Sequence, residues 1–153
     1  MILSKGNAQH RGHLGAGSLT VHSFMDGLGI GLGFQASLAV GLALTVAVLA
    51  HDLADGINTV GVSLKGSGRP RVAGAWLLAD ALAPMAGLAL SRLVHPGAGR
   101  LGVMIALFAG FFLYIGASEL LPESHHRHPK PWTTLTTILG VGLIWLVVRL
   151  ATH

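Results

Sequence analysis

His22-Ser23-Phe24-Met25-Asp26-Gly27 and His51-Asp52-Leu53-Ala54-Asp55-Gly56 share one layout: a histidine, an aspartate four residues on, and a glycine directly after it. Both lie inside long apolar stretches that otherwise lack charge. An aspartate at the centre of a membrane-spanning helix costs roughly 2.5 to 3.5 kcal/mol, so Asp26, Asp52, Asp55 and Asp80 left unpaired would together cost on the order of 10 kcal/mol. Positive charge is therefore expected among them, and the donor types suit a metal ion.

Composition agrees with a membrane setting. Of 153 residues, 52% are hydrophobic and only 10% charged, and the mean hydropathy is +0.65; a soluble domain carries more charge. There is no cysteine, which removes disulfides, thiolate zinc sites and thiol catalysis and leaves His, Asp, Glu or backbone as metal ligands. The net charge of +4 and pI near 10.4 raise nucleic acid as a partner, but the basic residues fall in short loops, where membrane topology explains them. No nucleic-acid partner is expected.

Five apolar segments follow a polar lead of about residues 1–17, placed roughly at 18–35, 37–62, 72–91, 101–121 and 132–150. Each is long enough to cross a hydrocarbon core of about 30 Å. The reading is all-α: a polytopic transmembrane bundle of about five helices over 18–153 after a cytoplasmic lead. Lys5, His10 and Arg11 precede Ser18 with no apolar run of signal-peptide length, so no cleaved secretory signal is expected. With the N-terminus cytoplasmic, seven of the ten Lys and Arg residues (5, 11, 65, 69, 71, 127 and 130) fall on the inner side and Arg92, Arg100 and Arg149 on the outer.

Only Gln35, Ala36 and Ser37 separate the first two segments, room for a tight antiparallel hairpin. His22 lies about 14 residues before this turn and His51 about 14 after it, so both sit about 21 Å from the turn at 1.5 Å per residue. The spacing predicts that the two motifs face each other. His22 with Asp26, and His51 with Asp55, each project from one helical face. Together they form a first shell for zinc, or for ferrous or manganous ions, since imidazole and carboxylate do not select sharply among these. Asp52 and Ser23, one step round their helices, are candidates for a second ion. Asp80 reads equally as a pathway residue or as a buried acid bridging helices.

These residues resemble the ZIP (ZRT/IRT-like) divalent metal transporters. That family carries His-Asn-x-Pro-Glu-Gly on its fourth helix and His-Glu-x-Pro-Glu-Gly on its fifth. His22, Phe24, Asp26 and Gly27 follow the first pattern, and His51, Asp52, Asp55 and Gly56 the second. Ala81-Leu82-Ala83-Pro84 is similar to the sixth helix, and Phe112-Leu113-Tyr114-Ile115 through Leu121-Pro122-Glu123 to the end of the seventh. Ser23 replaces the usual Asn, Met25 and Ala54 the kinking prolines, and Asp26 and Asp55 the commoner glutamates. The resemblance implies transport of Zn2+ or another divalent cation toward the cytoplasm across the cell membrane, with no prosthetic group. Family members have eight helices, so it also implies a C-terminal portion of a longer chain, a short member that assembles as a homo-oligomer or with a partner, or a remnant without transport.

Other motifs carry less. Gly27, Gly29, Gly31 and Gly33 thin the first helix for close packing; with no lysine and no preceding strand they do not form a nucleotide loop. His125, His126 and His128, like His10 and His13, read equally as loose metal catchers and as solvated residues. Trp76, Trp132 and Trp145 suit interfacial or packing roles. An intramembrane metal hydrolase would need a metal-bound water and a proton donor, but there is no His-Glu-x-x-His and few acids are left over. The chain is not expected to be an enzyme; a noncatalytic metal-binding membrane subunit is the alternative to a transporter.

Overall fold

The computed structural model describes residues 2–115 and 131–151. Five helices account for nearly all of them: α1 (Ile2–Ala36), α2 (Leu38–Ser67), α3 (Pro70–Ser91), α4 (Ala98–Ile115) and α5 (Pro131–Ala151). The fold is an all-α bundle, and α2 and α3 are long and apolar enough to cross a membrane. Shorter apolar stretches occupy Ala98–Tyr114 and Thr134–Leu150. The polar stretch over 1–17 is helical from Ile2 and continuous with the first apolar segment. The first proline in the chain is Pro70, so none interrupts the start of α1, and hydropathy locates the apolar part of a helix without marking its end. The segment expected to reach 121 is described only to Ile115; Glu119, Pro122, Glu123, His125, His126 and His128 lie outside the described residues.

The chain divides into two units, Met1–Gly31 with Ala47–His95 and Leu32–Val46 with Pro96–His153. In the first, α1, α2 and α3 meet through small residues. Gly12 on α1 abuts Gly66 on α2, where an added Cβ would stand 2.8 Å from the Gly66 Cα. Gly27 of α1 lies against the Pro84 carbonyl, Gly31 against the Ser91 side chain, and Gly87 of α3 against the backbone of Phe24 and Leu28. The buried positions of α3 are Ala73, Asp80, Ala83, Gly87 and Ser91, a single small and polar face. Leu78, Leu82 and Met85 point outward, at 61%, 53% and 67% exposure. This is the reverse of a water-soluble helix. Small residues inside and large aliphatic ones outside are what a bilayer selects, because lipid leaves no hydrophobic gain from packing Leu on Leu.

The turn from α2 to α3 is fixed by three neighbouring residues. Gly68 takes φ +62°, a left-handed conformation suited to glycine, and its N–H donates to the Leu64 carbonyl at 2.8 Å. Arg69 is extended, as the residue before a proline must be, and Pro70 starts α3 where its missing N–H does no harm. Pro84 stands inside α3 and has no N–H to give the Asp80 carbonyl, one turn before it.

In the second unit the α1–α2 turn closes at Ser37, whose N–H donates to the Gly33 carbonyl and whose hydroxyl accepts from the Val40 N–H to cap α2. The Phe34 ring lies on Gly41. None of the described side chains of α4 and α5 is buried, and Gly102, Gly110, Gly140 and Gly142 face open space.

Candidate metal centre

Helical periodicity and the short turn bring four side chains of the first unit together. His22, Asp26, His51 and Asp55 each offer one ligand atom, and all four atoms lie within 4.8 Å of one another. Asp26 Oδ2 is 3.6 Å from His22 Nε2 and 3.2 Å from His51 Nε2. Asp55 Oδ2 is 3.7 Å from each imidazole. A tetrahedral zinc ion with bonds of about 2.0 to 2.2 Å separates its ligands by about 3.4 Å. The nitrogen-to-oxygen spacings therefore need little adjustment to hold an ion at their centre. Without the kinking prolines, α1 and α2 run unbroken through both motifs.

Hydrogen bonding sets the donor state of His51. Its Nδ1 lies 2.8 Å from the Ala47 carbonyl. A carbonyl only accepts, so Nδ1 carries the hydrogen, and in the neutral ring the Nε2 lone pair points at Asp26 Oδ2. Two lone pairs at that distance repel unless a cation, a proton or a metal ion, lies between them. The second carboxylate oxygen of Asp26, Oδ1, is buried with no hydrogen-bond partner among the described residues. A buried carboxylate so poorly satisfied is costly, and a divalent cation beside it offsets that cost.

The remaining predicted ligands sit elsewhere. Ser23 is buried, and its Oγ lies 2.8 Å from Asp80 Oδ1 and 3.2 Å from the Leu19 carbonyl. The Thr59 hydroxyl donates to Asp80 Oδ2 at 3.1 Å. Asp80, 4% exposed, is thus bridged to both α1 and α2. Thr59 was not singled out by sequence reasoning; its signal is a hydroxyl two turns after His51, on the same face. Asp52 is exposed, and with Gly56, Leu77 and Asp80 it lines a cavity of about 420 Å³. His13 is half-buried, and the Trp76 indole N–H donates to its Nδ1 at 3.0 Å, while Gly17 leaves room for that ring.

A bundle with large apolar residues turned outward, small and polar residues turned inward and two facing His-x-x-x-Asp pairs is the arrangement of a helical membrane protein with a candidate metal centre. A family model described as ZIP zinc transporter matches residues 7–147, and the chain belongs to that family. Zinc transporter ZIP4 of Homo sapiens is 34% identical over 133 residues, covering 85% of this chain and 20% of that protein. Zinc transporter ZIP10 of Mus musculus is 33% identical over 107 residues, 69% of this chain and 13% of the relative. Zinc transporter SLC39A7 of Homo sapiens is 27% identical over 147 residues, 90% and 31%. The chain spans about a fifth of the length of the ZIP4 relatives it matches. No solved structure matches it.

Proposed function

We propose that this chain binds a divalent cation, zinc foremost and ferrous or manganous ions as alternatives, and moves it across the cell membrane toward the cytoplasm. The observation that carries the reading is the four-ligand cluster, with the His51 lone pair facing the Asp26 carboxylate across 3.2 Å. The action is ligand exchange, with no bond made or broken in a substrate. The ion sits between α1 and α2 on His22, Asp26, His51 and Asp55. Asp52 serves as a relay ligand, with Ser23 or Asp80 as the alternatives for a further one, and Asp52 and Asp80 line one cavity. Carboxylates offset the ion's charge, and neutral imidazoles keep binding weak enough for release. The N-terminus faces the cytoplasm, and the working unit is a homo-oligomer or includes further helices of a longer chain.

A noncatalytic metal-binding subunit is the second reading. Zinc uptake into vesicles separates the two. The Asp26→Ala/Asp55→Ala double variant should insert normally and abolish zinc-dependent flux. Unchanged uptake would sink the site assignment, and tight zinc binding without flux in the native sequence would favour the subunit.

A further inference from the structure

A second polar site lies toward the opposite end of the α1–α2 pair from the Ser37 turn. A cleft of about 480 Å³ is lined by Asn7, Arg11 and Gly12 of α1 and by Val62, Lys65 and Gly66 of α2. Backbone contact between Gly12 and Gly66 brings the helices together beside it, so side chains with longer reach supply its polar lining. Arg11 and Lys65 are both exposed. Neither forms an ion pair among the described residues, where the His–Asp contacts of the metal centre are the salt-bridge geometries found. Among the described residues no acid lines the cleft, and Asn7 adds two neutral N–H donors.

Depth identifies the ligand chemistry. Lys65 follows His51 by fourteen residues and Arg11 precedes His22 by eleven, which at 1.5 Å per residue is about 21 and 17 Å along the helices. With the histidine pair near the bilayer centre, as the proposed function has it, both cations pass the hydrocarbon boundary about 15 Å away and reach the headgroup layer. The positive-inside bias assigns that layer to the leaflet that carries anionic lipid. A guanidinium fork matches two phosphate oxygens and an ammonium adds a point charge. We infer that the Arg11–Lys65 cleft binds a phosphate anion at the cytoplasmic membrane surface, a site separate from the metal centre. Topology alone would ask for positive charge here, and a helix C-terminus for Lys65, but neither requires a cleft between two cations with an amide donor beside them.

Binding to the full chain in zwitterionic detergent tests this without transport. Short-chain phosphatidic acid, phosphatidylcholine and inorganic phosphate are titrated separately, read by tryptophan fluorescence. Phosphatidic acid should saturate and phosphatidylcholine should not. Arg11→Gln/Lys65→Gln should weaken phosphatidic acid roughly thirtyfold, at about 1 kcal/mol per lost charge. Arg92→Gln/Arg100→Gln and Asp26→Ala should bind as the native sequence does, the latter separating failure of this site from failure of the metal reading. Saturable inorganic phosphate binding with the same sensitivity would support the site and make free phosphate its source. Equal binding of both probes by the native chain and a normally helical Arg11→Gln/Lys65→Gln variant would overturn it.

Discussion

The two His-x-x-x-Asp motifs are near copies in sequence and unequal in the structure. The Asp26 side chain is 3% exposed and the Asp55 side chain 17%. Asp26 makes the shortest contact of the cluster, to the histidine of the other helix, while Asp55 stands equally far from both rings. The residue after each histidine differs in the same sense: Ser23 is buried against Asp80, whereas Asp52 is exposed in a cavity. The cause is α3, which packs Pro84 and Gly87 against α1 around Asp26. Two motifs of one design therefore divide into a sheltered half and an open half, which under the proposed function would respectively fix the ion and let it exchange.

Single substitutions should expose that division. Asp26→Ala should weaken zinc binding by more than about a hundredfold, the upper end for losing an outer-shell partner. Asp55→Ala should weaken it less and raise the rate of zinc release more. Equal losses in both variants, measured by zinc titration and stopped-flow chelation, would erase the distinction. Next in size is acidity. Histidine ligands must be neutral to bind, so lowering pH from 7.5 to 5.5 should progressively reduce zinc affinity. A flat profile would count against both histidines as ligands. The smallest effect belongs to Asp52→Ala, which should slow flux while shifting equilibrium affinity by about tenfold or less; a loss matching Asp26→Ala would move Asp52 into the primary shell.

Much of this was legible in the chain itself. Equal spacing of His22 and His51 from a three-residue link predicts their depth, and the ring centroids lie 5.8 Å apart. The start of α1 was not legible, because Asn7, Gln9, His10 and Arg11 read as a lead while helix formation tolerates them. Nor was the pairing of Trp76 with His13, or of Thr59 with Asp80, since neither partner is close in sequence.

By itself the sequence determined the all-α class, the membrane setting and the clustering of His22, Asp26, His51 and Asp55, because helical period, hydropathy and a short turn are local properties. Only the tertiary structure decided which carboxylate is sheltered and that Asp80 bridges Ser23 and Thr59. Those outcomes depend on where α3 lies against α1 and α2, and glycine-sized gaps on separate helices set that position once they meet.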